Sequence, residues 1–224
     1  GTQTNVTVIS AALRHYQGVI TAATGHINVH ETGALESCGH KCLTIETADG
    51  KLTAEQIAAY TDAHYADASF EHTVQPKMVY ISNPTEIGTI YKKAELEAIY
   101  DVCKERGLYL FLDGARLPAA LVAEGNDLAP ADFANYCDVF YIGGTKNGLL
   151  FGEAMVIVND ALKPGFRRAM KRNGAMLAKG RLLGVQFAAA MEHDLWLELG
   201  RHADAQAQRI AAALFLYFLN MNDA

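Results

Sequence analysis

Long apolar runs, basic clusters, proline and cysteine are all scarce in this 224-residue sequence, and each scarcity removes a class of protein. The longest apolar stretch, residues 211–219, falls short of the roughly 20 residues that cross a bilayer, so no membrane partner is expected. The opening GTQTN carries none of the features of a secretory signal, and a cytoplasmic location is the expectation. Lys and Arg number 19 against 25 Asp and Glu, a net charge of −6, and the densest basic run, FRRAMKR at residues 166–172, reads as a solvated helix face. That balance argues against a nucleic-acid partner. With 5 prolines, 20% charged and 50% hydrophobic residues, the chain reads as globular rather than disordered. Cys38, Cys42, Cys103 and Cys137, two of them on expected buried elements, are read as reduced thiols. Cys38, His40 and Cys42 lack a fourth zinc ligand, so no metal is expected. No expected strand is followed by G-x-G-x-x-G, which counts against a nucleotide-binding domain.

What is present is concentrated in two stretches, LYLFLDGARLP at residues 108–118 and DVFYIGGTKNG at residues 138–148. Each is a short apolar run that stops abruptly at polar and small residues, the pattern of a buried parallel strand reaching the rim of a sheet. Further strands are expected at residues 18–22, 41–45 and 76–82, and an antiparallel one at 153–158, whose link to its predecessor is too short for a helix. Between them, Thr53 caps a helix reaching about residue 68, and residues 92–107 form an amphipathic crossover closed by Gly107. Residues 130–136 are expected to be helical, and so is the chain from Leu162 onward, with a long buried helix over 176–199. The first five residues are expected to be a turn entering a helix, whose free N–H groups suit an anion.

The rims carry the candidate chemistry. Asp113 and Arg116 follow one strand, Lys146 another, His26 a third, and Glu86 lies in the polar loop NPTEIGTIY after the strand at 76–82. Open α/β sheets bind ligands at such strand ends. An amine able to form a Schiff base and an acid able to hold a pyridinium nitrogen protonated are what pyridoxal phosphate requires of a protein. Gly143, Gly144 and Gly148 allow backbone to approach a cofactor, and nearby positive charge or desolvation is expected to favour the neutral amine. Plainer readings stand beside these. Asp113 is also a good helix cap, Arg116 its natural ion-pair partner, Lys146 an ordinary loop lysine, and Lys179 and Arg181 ordinary surface cations.

In chain order, GHINVHETGALE, SNPTEIGTIY, LFLDGARLPAAL, YIGGTKNGLLFGEA and AKGRLLG resemble the low-specificity threonine aldolases, in the β-eliminating lyase group of fold-type-I pyridoxal phosphate enzymes. The resemblance covers residues 1 to about 212. It implies an α/β fold of three layers, a mainly parallel sheet flanked by helices, as in the aspartate-aminotransferase-like large domain. That domain is expected over residues 1–200, with the helical start of a small C-terminal domain over 201–224, the sequence looking like a fragment without the family's N-terminal arm. The resemblance also implies roles: Gly1, Thr2, Gln3 and Arg181 at the cofactor phosphate, His26 flat on the ring, Asp113 at the pyridinium nitrogen and Lys146 as the amine. Arg116 is implied to bind the substrate carboxylate, and Glu86 stands where the wider family often has a histidine.

The implied reaction is cleavage of the Cα–Cβ bond of L-threonine or a related β-hydroxy amino acid to glycine and an aldehyde, by a homodimer or homotetramer. His26, Glu86 and a bound water remain open as the proton acceptor. An aminotransferase, a β-eliminating lyase, a racemase and an inactive fragment with the same fold remain alternatives.

Overall fold

The computed structural model describes the backbone over residues 1–222 and side chains over residues 1–215. In chain order the elements are α1 (Thr2–Ala12), β1 (Gln17–Ala22), α2 (His26–Val29), α3 (Ala34–Ser37), β2 (Cys42–Ile45), α4 (Ala54–Ala66), β3 (Gln75–Ser82), α5 (Lys93–Glu105) and β4 (Tyr109–Asp113). They continue with α6 (Leu117–Val122), α7 (Asp132–Tyr136), β5 (Val139–Gly143), β6 (Glu153–Ile157), α8 (Phe166–Arg172), α9 (Arg181–Met191) and α10 (Leu195–Asn222).

The strands form one sheet in the order β2-β1-β3-β4-β5-β6. All pairs are parallel except β5 with β6. Parallel strands need crossovers: α2 and α3 lie between β1 and β2, α4 between β2 and β3, α5 between β3 and β4, and α6 and α7 between β4 and β5, whereas residues 144–152 hold no helix and β6 turns back antiparallel. From β1 the chain steps outward to β2, then returns to β3 on the other side, so the β1/β3 boundary is a switch point of the kind at which open sheets hold ligands.

Alternation along the strands divides the core into two layers. Ile20, Val79, Ile81, Leu110 and Leu112 face Ile57 of α4, Leu96 and Ile99 of α5 and Phe133 of α7. Val19, Met78, Tyr80, Phe111 and Tyr141 face Val8 and Ile9 of α1 and Leu35 of α3. By the same alternation Asp113, two residues beyond Phe111, lies on the α1 side. Burial pushes the Cys42 and Cys103 thiols up to about 12, and among the described residues the cysteines are free.

Three expectations need correction. The chain is already helical from Thr2, because the N–H groups of Thr4 and Asn5 both donate to the Gly1 carbonyl, so no turn precedes the helix. The long helix expected over residues 176–199 is two helices, broken at residues 192–194 where His193 and Asp194 take φ of 55° and 59°. Nor is its first half buried, since Leu182 is 59% and Val185 47% exposed. Apolar spacing shows which side chains share a face but not whether anything covers it. Helix α10 passes through residues 200 and 201 without interruption. Its Gly200 lies so close to α6 that a Cβ there would stand 2.9 Å from the Pro118 carbonyl oxygen. Among the described residues no helix is long and apolar enough to cross a membrane.

One buried carboxylate ties the sheet centre together. Asp138, 1% exposed, accepts from the Leu110 N–H at 2.8 Å, from Lys104 Nζ at 2.5 Å and from Asn159 Nδ2 at 2.7 Å, linking β4, α5 and the turn after β6. Asp138→Ala orphans a buried N–H and removes charge-assisted bonds, so a loss of about 3 kcal/mol is expected. In a chain of this size that is a fall of roughly 6–12 °C in melting temperature. A calorimetric midpoint within about 2 °C of wild type would contradict the assignment.

Candidate active site

Four parallel strands hand a polar group to one rim: β1 is followed by His26, β3 ends at Ser82 with Glu86 beyond it, β4 ends on Asp113 before Arg116, and β5 is followed by Lys146. Strand β6 runs the other way and opens at this rim with Glu153, paired to Gly143. The N-terminus of α1 arrives here too, since Asn5 hydrogen-bonds Asp113. The result is a cleft whose lining includes Gly1, His26, Glu86, Asp113, Arg116 and Lys146.

The lysine loop and the aspartate loop meet through glycines. A Cβ on Gly143 would stand 2.3 Å from the Ala115 carbonyl oxygen, and one on Gly114 2.0 Å from that of Tyr141. Only glycine permits such an approach. The Gly143 N–H donates to the Gly114 carbonyl at 2.9 Å, and Asn147 Nδ2 donates to the carbonyls of Ala115 at 2.9 Å and Gly143 at 2.6 Å. Gly143 and Gly144 therefore bring protein segments together, Gly144 against the Gly152 carbonyl at 2.5 Å from a built Cβ.

Asp113 is 4% exposed. Its Oδ1 accepts from the Ala115 N–H at 2.9 Å, which closes the turn into α6. Its Oδ2 accepts from Tyr80 Oη at 2.5 Å and from Asn5 Nδ2 at 3.3 Å. Among the described residues no cationic side chain pairs with it, Arg116 included. Burial, reinforced by the Asp113 charge, raises the Tyr80 hydroxyl well above its ordinary range, so Tyr80 remains a donor at any accessible pH. Burial and the same carboxylate raise Tyr141, whose hydroxyl lies buried in the cleft wall on the Asp113 side.

His26 lines the cleft with its side chain 29% exposed, and its Nδ1 lies 2.8 Å from Glu31 Oε1. Its ring stands 5.6 Å from that of His30, tilted by 53°. Glu86 Oε1 accepts from the His26 N–H at 3.0 Å and from Ser82 Oγ at 2.6 Å, so Glu86 anchors the start of α2. Arg116 and Lys146 are both exposed at the lip, so of the two influences expected to favour the neutral amine, desolvation is not supplied by the residues described.

A larger cavity, of about 500 Å³, adjoins the cleft and shares Gly1 and Glu153 with it; Gln3, Thr4, Thr7 and Thr145 add polar groups to its wall. Gln3 lines this second cavity and donates from Nε2 to the Asn173 carbonyl at 3.0 Å. Thr2 and Arg181 line neither cavity, and both are exposed. Sequence reasoning passed over Asn5, Tyr80, Tyr141, Asn147 and Glu153. Strand alternation was the available signal for the tyrosines, because Tyr80 and Tyr141 share the face of Asp113. A polar residue on the buried side of α1 was the signal for Asn5.

Comparison with known proteins agrees with this geometry. The family model described as beta-eliminating lyase matches residues 1–221. The low-specificity L-threonine aldolase of Pseudomonas aeruginosa is 35% identical over 217 residues, 94% of this chain and 60% of the relative. That of a Pseudomonas species is also 35% identical, over 95% of this chain and 61% of its own length. The solved threonine aldolase of Leishmania major superposes with a TM-score of 0.92 at 52% identity, over 96% of this chain and 62% of that one. An aspartate aminotransferase of Thermus thermophilus, 16% identical with a TM-score of 0.65, shares the fold. The chain thus spans about three-fifths of the length of the curated relatives it matches. The matched model, running over nearly the whole sequence, makes the chain a member of the beta-eliminating lyase family.

Proposed function

We propose that the protein is a pyridoxal-phosphate-dependent lyase that splits the Cα–Cβ bond of L-threonine and related β-hydroxy amino acids, giving glycine and an aldehyde. The observation that carries the reading is Asp113, a buried carboxylate with three donors and no cation, in the wall of a cleft that also holds a lysine amine. A buried carboxylate without a counter-charge is costly unless a cationic group joins it, and a pyridinium N–H is such a group. The relatives' names as threonine aldolases support the choice of reaction.

In this reading Lys146 holds the cofactor aldehyde, Asp113 holds the ring nitrogen, and Gly1, which lines both cavities, stands at the phosphate with Gln3 of the same helix end; Thr2, outside both linings, would join them only through its backbone N–H. Arg181 joins them only if α9 or its preceding loop moves inward, since Arg181 lies outside the lining. When bound, pyridoxal phosphate supplies an electron-poor ring that accepts the electron pair left at Cα. Arg116, exposed at the lip and without a carboxylate partner among the described residues, binds the substrate carboxylate. His26 accepts the β-hydroxyl proton on Nε2, which makes no hydrogen bond among the described residues. Loss of that proton lets the Cα–Cβ bond break with departure of the aldehyde, and the Cα carbanion takes up a proton to become glycine.

The test is to supply the purified protein with pyridoxal phosphate and L-threonine. Acetaldehyde and glycine in equal amounts are expected. Ammonia with a keto acid, or transfer of the amine to an added keto acid, would assign the site to elimination or transamination instead. Assembly as a homodimer or homotetramer belongs to the same reading, supported by the exposure of Leu150 at 83% and Leu182 at 59% on adjoining elements. Sedimentation velocity is expected to show more than one copy per particle, and a monomer at every concentration would remove this part.

A further inference from the structure

Glu31 is buried to 1% side-chain exposure and stands behind His26. Two donors converge on one of its oxygens: His26 Nδ1 at 2.8 Å and Asn5 Nδ2 at 2.7 Å both reach Oε1. The other hydrogen of the Asn5 amide goes to Asp113 Oδ2 at 3.3 Å, and Tyr80 reaches that oxygen too. A buried chain therefore runs His26, Glu31, Asn5, Asp113, Tyr80, joining the histidine in the cleft wall to the acid beneath it. Glu31 Oε2 and Asn5 Oδ1 are buried and make no hydrogen bond among the described residues, so the side-chain bonds of Glu31 go only to His26 and Asn5, and those of Asn5 only to the two carboxylates. The backbone turns sharply just after Glu31, with Thr32 at φ 52° and Gly33 at φ 73°. A threonine in the left-handed region is strained, and such strain persists only where its surroundings impose it.

We propose that Glu31 is a positioning residue that holds neutral His26 in the tautomer with its proton on Nδ1, and that Asn5 fixes the Glu31 carboxylate for this purpose. The inference rests on the reading of His26 as the proton acceptor. A neutral imidazole carries one proton, and the hydrogen bond made by one nitrogen decides which nitrogen is left as acceptor. Ionised Glu31 can only accept, so Nδ1 must donate, and the lone pair is left on Nε2. When Nε2 takes the substrate proton the ring becomes an imidazolium, and the carboxylate behind it stabilises that charge. A histidine backed by a carboxylate in the serine-protease triad works by the same logic. Asn5 contributes by spending one amide hydrogen on each carboxylate, which holds Glu31 and Asp113 apart while neutralising neither.

Nitrogen-15 spectra of the histidine-labelled protein at a pH where His26 is neutral read the tautomer directly, with His26→Gln assigning the resonance. The proton is expected on Nδ1. Finding it on Nε2 overturns the proposal, because Glu31 would then be protonated and donating. In Glu31→Gln the amide oxygen can replace Oε1 and the Nδ1–H form is expected to persist. In Glu31→Leu no acceptor remains, and the majority form is expected to become Nε2–H, with a roughly 10- to 100-fold fall in threonine cleavage. Retention of Nδ1–H in that variant also overturns the proposal. The visible absorbance that pyridoxal phosphate gives with the wild-type protein separates the two levels: its absence refutes the cofactor reading and leaves the tautomer result standing by itself.

Discussion

Lys146→Ala is expected to abolish the visible absorbance that pyridoxal phosphate gives with the protein and to lower threonine cleavage on the order of 10⁴-fold or more, since the amine makes the covalent link on which the reaction depends. The effect should be large because nothing at the rim replaces it: among the residues lining the cleft, Lys146 is the one amine-bearing side chain. Its loop is held by Asn147 and by the Gly143–Gly114 contact, neither of which uses the lysine side chain. Removal of an exposed side chain from that loop is therefore expected to leave the melting temperature within a few degrees of wild type. A spectrophotometric titration checks the first outcome. An unchanged band in the variant would mean that another amine takes the aldehyde.

Asp113→Ala is expected to lower turnover by roughly 10³-fold while the far-ultraviolet dichroism stays that of the wild type, because the acid is an electrostatic partner of the reaction rather than a pillar of the fold. Two stability effects oppose each other. Truncation deprives Tyr80, the Ala115 N–H and one Asn5 hydrogen of their acceptor, at about 1–3 kcal/mol for a buried unsatisfied group. It also removes a buried charge that has no cation, which is itself destabilising. Asp113→Asn, which keeps the shape and one acceptor oxygen, separates the charge from the packing and is expected to lose nearly as much turnover with less change in stability. Turnover within about threefold of wild type in both variants would contradict the role given to Asp113, the expected loss being far larger.

Much of the fold was legible because burial on both faces writes parallel strands as short apolar runs, and the polar residue that ends each run marks the rim. The runs LYLFLD and DVFYIGG predicted β4 and β5 to within a residue or two, and the short link before EAMVIV predicted that β6 turns back. Side-chain company was harder to read. Asn5 and Glu31 are separated from Asp113 by long stretches of chain, and only the packing of α1 over the sheet brings them together. Gly143 and Gly144 look alike whether a glycine meets a ligand or another loop, and here both meet backbone. The apolar residues of α9 were read as buried because spacing cannot report what lies opposite them. Arg181 was placed by resemblance alone, and it stands outside the lining of both cavities.

The central claim is that one pyridoxal group lies between Lys146 and Asp113. Reduction of the pyridoxal-phosphate-loaded protein with borohydride, followed by proteolysis and mass spectrometry, fixes the cofactor carbon to whichever amine holds it. The account predicts the pyridoxyl mass on the peptide containing Lys146, at one equivalent per chain, in the wild type and in Asp113→Asn. A modified peptide containing a different lysine, or no stable adduct on any peptide, would contradict it.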